Sequence, residues 1–253
     1  MSGFEPIVSA CKYLLYNCPE AEEHLAYLNS RIGADAQEKF EFGYFPGSDK
    51  INLLIPLVGQ ETLTSLGLMQ RKEYQDSVSA SRVTISYFEY HQLIMPYKDL
   101  YGNVIGLVGR SLLADEERKQ LTVQAKYKNT SFSKGNHMFG LFEAKQSILE
   151  NDMVYVVEGQ FDVIKCFERG IKNVVAIGSS NLTFHQLSLL CRYTKNICLL
   201  LDNDEAGDSG RKKIYDKYSQ YANIINKFRI PKGYKDIDEY LKENSFDQLN
   251  ALF

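Results

Sequence analysis

The sequence predicts an α/β protein in which a mixed α+β amino-terminal part precedes a doubly wound parallel sheet. Two observations predict the sheet. First, apolar runs, most of them rich in Val, Ile and Leu, suit strands that are buried on both faces. Second, these runs alternate with helical patterns, as expected for βαβ units. The strands are expected at 153–157, 173–177, 197–201 and 223–229, and the helices at 161–169, 184–193 and 206–219. Thr183 and Gln186 have the spacing of a capping box at the start of the second helix.

The amino-terminal half mixes both kinds of element. Short helices are expected within residues 5–40 and at 60–68, and a further helix at 141–149. Two strands, 92–98 and 103–110, flank a turn near Leu100-Tyr101-Gly102. We therefore expect three regions: an α+β subdomain over 1–150, the parallel-sheet domain over 151–230, and a loop with a short helical tail over 231–253.

Composition limits the class of protein. The chain has 253 residues, of which 44% are hydrophobic and 24% charged, and a net charge of -3, as in ordinary globular proteins. The slightly acidic balance excludes a surface coated with basic charge but allows a local basic groove. No apolar run approaches the roughly 18 residues that span a membrane, and no signal peptide is recognisable. Five cysteines without a CxxC pair indicate reduced thiols and no zinc ribbon, so we expect a cytoplasmic protein with no membrane partner.

Acidic side chains follow three of the predicted strands. Each group contains a pair of acids: Glu158 and Asp162, Asp202 and Asp204, and Asp236 and Asp238. Ligands of open α/β sheets bind at the carboxyl ends of the strands. Carboxylates that converge there repel one another unless a divalent cation lies between them, and hard oxygen ligands favour Mg²⁺ or Mn²⁺. Such a set has room for two cations, the recurrent device for in-line displacement at phosphorus.

A basic segment precedes the parallel-sheet region. Lys126, Lys128 and Lys134 are interleaved with Tyr127 and other polar or aromatic residues, a pattern that suits contact with a nucleic-acid strand. Arg110 adds a planar fork for phosphate. For Arg118 and Lys119 a solvated loop is an equally good interpretation.

Two motifs resemble known families. Glu158-Gly159, followed by Asp202-x-Asp204 after a βαβαβ run, resembles the Toprim domain of primases, topoisomerases and OLD-family nucleases. The upstream half distinguishes among these. Its ordered motifs resemble the amino-terminal part of the DnaG-type bacterial and phage primase catalytic core: Ile94-Met95-Pro96-Tyr97-Lys98-Asp99, Gly109-Arg110, Lys126-Tyr127-Lys128-Asn129-Thr130 and Lys134-Gly135-x3-Phe139-Gly140-Leu141. The resemblance extends over roughly residues 20–241.

The resemblance implies a DNA primase, a nucleotidyltransferase that makes short RNA primers on single-stranded DNA. It implies the following roles: catalytic Glu158, Asp202 and Asp204; metal-binding Glu158, Asp202, Asp204, Asp162, Asp236 and Asp238; and nucleotide- or template-binding Arg110, Lys126, Tyr127, Asn129 and Lys134. The implied cofactor is Mg²⁺ or Mn²⁺. The implied partners are single-stranded template DNA, ribonucleoside triphosphates, and a replicative helicase or a separate zinc-binding protein acting in trans.

The sequence also departs from the family pattern. Gln92 stands where the family usually has an arginine, and Met95 replaces a phenylalanine. We also expect the amino-terminal zinc ribbon, most of the carboxyl-terminal helical subdomain and the helicase-binding domain to be absent. Two alternatives therefore stay open: a Toprim-type metal-dependent nuclease, and a non-catalytic DNA-binding accessory module.

Overall fold

A computed structural model describes residues 3–75, 80–123 and 125–250. The chain forms two compact units. The first comprises Met1–Tyr97 with Asn103–Phe132, and the second comprises Lys98–Gly102 with Ser133–Phe253. Within the described ranges, no helix combines the length and the apolar character needed to cross a membrane. All five cysteines are free thiols.

The first unit contains six helices and six strands among its described residues. The helices are α1 Glu5–Asn17, α2 Glu22–Arg31, α3 Ala34–Lys39, α4 Ile55–Val58, α5 Gln60–Ser65 and α6 Asp115–Gln120. The strands are β1 Gly43–Tyr44, β2 Met69–Gln75, β3 Ala80–Ser86, β4 Leu93–Lys98, β5 Val104–Arg110 and β6 Tyr127–Asn129. The predicted helices within 5–40 and the two predicted strands on either side of Gly102 are thus confirmed.

A four-stranded sheet of order β1-β4-β5-β6 forms the centre of the first unit. Strands β5 and β6 pair antiparallel and place Arg110 opposite Tyr127. Gly109 lies where the chain passes very close to its neighbours, since a Cβ atom there would lie 2.4 Å from the carbonyl oxygen of His91. Strands β2 and β3 form a separate antiparallel hairpin.

The second unit is the predicted parallel-sheet region. Its helices are α7 Leu141–Asn151, α8 Gln160–Glu168, α9 Phe184–Leu190, α10 Glu205–Tyr218, α11 Ile237–Glu243 and α12 Phe246–Asn250. Its strands are β7 Val154–Val157, β8 Val174–Ala176, β9 Asn196–Leu199 and β10 Asn223–Ile225. They pair in the order β10-β9-β7-β8, and every pair is parallel. The α/β fold class is therefore confirmed.

Sequence patterns located these elements to within a few residues, with one larger difference. The strand predicted at 223–229 ends at Ile225. Polar Asn226 and Lys227 interrupt the apolar run, and the Arg229 guanidinium folds back to donate to the carbonyl oxygens of Asn226 and Phe228. A loop, rather than strand, therefore leads toward α11.

The predicted capping box lies at the start of α9. Thr183 accepts a hydrogen bond from the Gln186 amide at 3.0 Å while the Gln186 side chain accepts one from the Thr183 amide, so the predicted capping box is confirmed.

Helix α7, which precedes the predicted boundary at 150, packs against β8 within the second unit.

His24 should make the stability of the protein fall in mild acid. Burial, followed by the charge of Lys50, lowers the pKa of His24 from 6.5 to about 4. The folded state therefore binds fewer protons than the unfolded state, so stability is present above pH 6.5 and is lost as the pH falls toward 4. The loss should reach on the order of 3 kcal/mol. His24→Gln should flatten this slope in urea unfolding series between pH 4 and 7.

The matched control is His185→Gln, which changes an exposed histidine of α9. It should keep the wild-type dependence of unfolding free energy on pH. Equal slopes in wild type and His24→Gln would contradict the assignment to His24.

Candidate active site

Glu158 and Asp202 meet at the carboxyl ends of two neighbouring parallel strands. Glu158 directly follows β7, and Asp202 lies three residues beyond the end of β9. The Asp202 backbone amide donates a hydrogen bond to Glu158 Oε1 at 3.2 Å. Because β7 and β9 are adjacent in the sheet, residues 44 positions apart in sequence share one edge.

Asp204 is fixed by the start of the following helix. It is the N-cap of α10, and its Oδ1 accepts a hydrogen bond from the Gly207 amide at 2.8 Å. Gly207 permits a very close approach of the helix to the end of β9, since a Cβ atom there would lie 2.0 Å from the Asp202 carbonyl oxygen. Capping uses one oxygen of the Asp204 carboxylate, and the second oxygen remains for a ligand.

Asn203 brings the third acidic pair to the same edge. Its amide donates to the Lys235 carbonyl at 2.7 Å, and its side-chain Nδ2 donates to the carbonyl oxygens of Ile230 and Tyr234 at 3.3 and 3.2 Å. The loop that ends at Asp236 is therefore tied to the Asp-Asn-Asp segment. Asp236 in turn caps α11 and accepts from the Glu239 amide at 2.8 Å. Sequence patterns did not single out Asn203, although its place between two candidate ligands could have drawn attention.

Asp162 and Asp238 are more deeply placed than the other acids. Asp162 is 8% exposed, and its Oδ2 accepts from the Gly159 amide at 3.0 Å at the start of α8. Asp238 is also 8% exposed and lies on α11, which packs against α8. Its carboxylate lies 3.9 Å from Lys242 Nζ. Both acids therefore lie where α8 packs against α11, and each has a local partner within its own segment.

The carboxylates influence one another's protonation. Burial, then the charges of Glu158 and Asp236, raises the pKa of Asp202 to about 7. Burial also raises the pKa of Glu158, despite the opposing hydrogen bond from the Asp202 amide. The pKa of Asp162 lies well above its usual range because the group is buried and faces Asp236 and Asp202. A divalent cation would relieve this repulsion.

The donor set fits a hard divalent cation. The available groups are carboxylate oxygens, the ligands that Mg²⁺ and Mn²⁺ prefer. Over the described ranges, no three His, Cys, Asp or Glu side chains converge closely enough to enclose an ion. Magnesium ordinarily uses one or two carboxylates together with water and substrate phosphates, so an open arrangement suits it. Glu158, Asp202 and Asp204 are carboxylates of this edge that could hold such an ion.

Four of the predicted template residues lie together in the first unit. The Arg110 guanidinium lies 5.3 Å from the ring centres of both Tyr27 and Tyr127, and it donates to the Tyr127 hydroxyl. Asn129 follows on β6. Partial desolvation of its ammonium group, then the charges of Arg110, Arg118 and Arg31, lowers the pKa of Lys126, although the residue as a whole is exposed. Arg118 and Lys119 lie on helix α6 rather than in a loop, and the Arg118 guanidinium pairs with the Asp115 carboxylate.

Lys134 lies in the second unit, apart from the other four in the division of the chain. It begins a short 3₁₀ turn, Lys134–Asn136, and its carbonyl oxygen accepts a hydrogen bond from Gln186 Nε2 at 3.2 Å. Burial lowers the pKa of Lys134. The hydrogen bond from Gln186 fixes the Lys134 backbone to the start of α9.

Comparisons with known proteins show which family the chain resembles. Residues 155–241 match the Toprim-like family model, and residues 12–145 match the model of the DNA primase catalytic core, N-terminal domain. The DNA primase of Aquifex aeolicus is 30% identical over 243 residues, which span 96% of this chain and 47% of that protein. This chain thus spans about half the length of that relative.

Solved structures show the same fold. The crystal structure of the zinc-binding and RNA polymerase domains of Aquifex aeolicus primase matches with a TM-score of 0.74 and 29% identity, over 100% of this chain and 61% of that chain. A DnaG primase catalytic domain bound to single-stranded DNA matches with a TM-score of 0.76 and 23% identity, over 98% and 78%.

The parallel sheet with acids at its carboxyl edge defines a Toprim-like protein. Because the amino-terminal primase model matches more than half of the chain, the chain belongs to the DNA primase catalytic-core family. The resemblance seen in the sequence is thus confirmed.

Gly207→Ala should destabilise the protein, although alanine is the better helix former. Helix propensity alone predicts a gain of up to about 1 kcal/mol. The added Cβ atom would overlap the Asp202 carbonyl oxygen, and because that oxygen belongs to the backbone, either α10 or the segment after β9 has to move. We expect a net loss of roughly 1–3 kcal/mol, measured by chemical denaturation.

Ser209→Ala, at an exposed position of the same helix, is the control and should leave stability within about 0.5 kcal/mol of wild type. A Gly207→Ala protein that is more stable than wild type would show that the close approach is not a constraint.

Proposed function

We propose that this chain is the catalytic core of a DNA primase that makes short RNA primers on single-stranded DNA. The observation that carries the proposal is the hydrogen bond from the Asp202 amide to Glu158, which joins the ends of β7 and β9 beside the N-cap residue Asp204. Membership of the primase family supports the substrates: template DNA and ribonucleoside triphosphates. The proposed cofactor is Mg²⁺ or Mn²⁺, held by Glu158, Asp202 and Asp204.

The reaction joins two nucleotides. The 3′-hydroxyl of one attacks the α-phosphorus of the next, and pyrophosphate leaves. When bound, a divalent ion stabilises the charge that develops on the phosphate and activates the attacking oxygen. The protein contributes position: the amide of Asp202 orients Glu158, and the amide of Gly207 orients Asp204. Asn203 keeps Asp236 close to them through the loop that it binds.

Template contacts are assigned to the basic cluster of the first unit. Arg110 and Tyr127 form a rigid stacked pair, and Lys126 is exposed beside them. Lysine can neutralise a backbone phosphate, and an aromatic ring can stack a base. The DnaG primase domain that was solved with single-stranded DNA has this fold, which supports the assignment. Asn129 completes the proposed set in the first unit, and Lys134 of the second unit is a separate proposed contact to nucleotide or template.

The wider setting is also a proposal. We assign residues 1–150 to template and nucleotide contacts, 151–230 to the Toprim chemistry and 231–253 to the final acidic pair and tail. The protein would act in the cytoplasm, with a replicative helicase or a zinc-binding protein among its partners.

Removing one carboxylate charge from the site should abolish primer synthesis. Asp202→Asn, Asp204→Asn and Glu158→Gln should each lower the rate by at least about 100-fold, because even outer-shell partners of metal ligands are worth 10–100-fold. The measurement is incorporation of labelled ribonucleotides on a defined single-stranded template with Mg²⁺ or Mn²⁺. The melting midpoint of each variant should show a retained fold.

Asp216→Asn is the matched control, since Asp216 is an exposed acid further along α10; it should leave the rate unchanged. Full synthesis by the Asp204→Asn variant would contradict the site. Shortened template without new oligoribonucleotides would instead indicate a nuclease, and DNA binding without either product would indicate an accessory module.

Lys126→Ala should weaken template binding in a salt-dependent way. Loss of one phosphate contact on a single strand lowers the slope of log K against log salt by roughly 0.7. Fluorescence anisotropy of a labelled oligonucleotide over a salt series measures this slope. Lys39→Ala, an exposed lysine of α3, is the control. An unchanged slope for Lys126→Ala would remove Lys126 from the template path.

A further inference from the structure

Helix α10 carries a charged side chain that is almost completely buried. Arg211 is 2% exposed and lies behind the segment that carries Asp202. Its Nη1 donates to the Leu201 carbonyl at 2.7 Å, and its Nη2 donates to the Asp202 carbonyl at 3.2 Å. One guanidinium therefore holds two successive carbonyl groups at the carboxyl end of β9.

These contacts act on the backbone of a proposed metal ligand. Leu201 is 1% exposed, so its carbonyl needs a donor from within the protein. Arg211 supplies that donor and, through the adjacent carbonyl, also restrains the peptide that leads out of Asp202. The amide of Asp202 is bonded to Glu158 on the opposite side. Asp202 is thus held from both of its peptide groups.

Two ion pairs of Asp208 extend these contacts to the loop before α11. The Asp208 carboxylate accepts from Arg211 Nη2 at 2.9 Å, and the same oxygen lies 3.6 Å from Arg229 Nε. Arg229 donates to the carbonyl oxygens of its own loop, including that of Phe228 at 2.9 Å. The network therefore connects α10, the end of β9 and the chain leading to Asp236.

The chemistry of this position favours arginine over lysine. A guanidinium is planar and presents several donors in a fixed fork, so it can bridge adjacent carbonyls and a carboxylate at once. An ammonium group is a compact point charge on a flexible stem. A lysine at 211 would keep the positive charge but not the bridging geometry.

We propose that Arg211 is a positioning residue for the divalent-ion site: it fixes the Asp202 backbone so that the carboxylates of Asp202 and Glu158 face the ion together. This inference rests on the proposed function. Arg211 itself touches neither ion nor substrate in this assignment, and its effect passes through the Leu201 and Asp202 carbonyls.

A positioning role and a purely electrostatic role of Arg211 predict opposite changes in metal affinity when the residue is replaced. A buried cation near the site repels a divalent ion, so a residue that acted only through its charge would weaken binding. Its removal would then tighten binding, and lysine would substitute for arginine. A positioning residue has the reverse signature, because both a neutral and a lysine replacement release the two carbonyls. Two variants, Arg211→Met and Arg211→Lys, therefore separate the roles.

The test is titration of the full chain with Mn²⁺ alone, following free Mn²⁺ by electron paramagnetic resonance. Both variants should bind Mn²⁺ at least about tenfold more weakly than wild type, the lower end of the range for outer-shell partners of metal ligands. Lys212→Met, which alters an exposed cation at the next position of α10, should keep wild-type affinity. Circular dichroism at the titration temperature establishes that each variant is folded.

The possible outcomes lead to separate conclusions. Wild-type or tighter binding by Arg211→Met, or wild-type binding by Arg211→Lys, would overturn the positioning role. If Arg211→Met does not fold, the Arg211→Lys affinity decides alone. Asp204→Asn in the same titration tests the underlying proposal: Mn²⁺ binding that survives this change would place the ion elsewhere, independently of Arg211.

Discussion

Repulsion among carboxylates at the carboxyl ends of β7 and β9 is the constraint around which the second unit is arranged. Burial and the neighbouring acids raise the pKa of Asp202 to about 7, so the cluster is held together against its own charge. Backbone amides supply much of the compensation: those of Asp202, Gly159 and Gly207 each donate to one of the acids. Arg211 places a fixed positive charge behind the cluster. A divalent cation bound by these acids would add to the same compensation.

The helix ends serve the site as well as the fold. Asp204 and Asp236 each cap a helix with one carboxylate oxygen, so each side chain has a defined direction before any ligand binds. Preorganisation of this kind lowers the cost of assembling charged groups around an ion. Each of these two acids therefore has a structural role as a helix cap, whatever else it binds.

In the first unit, Arg110 and Lys126 differ in how they are held. Arg110 is 5% exposed and stacked against two tyrosine rings, so its guanidinium is held rigidly at the end of β5. Lys126 stands exposed at the start of the paired segment. The Arg110 guanidinium is thus held by packing, whereas the Lys126 side chain is exposed.

The sequence by itself determined the parallel sheet, the capping box at Thr183 and the acids after β7 and β9, because apolar runs, capping residues and turn-forming positions are local signals. Its motifs also identified the family. Only the tertiary structure decided that Asn203 ties the final acidic loop to the site, that Arg211 lies buried beneath Asp202, and that Asp162 and Asp238 are placed more deeply than the other acids. These facts depend on which side chains meet across distant parts of the chain. In the sequence alone, an arginine in a helix or an asparagine in a loop is expected at the surface. Only the packed structure shows the partners that bury it.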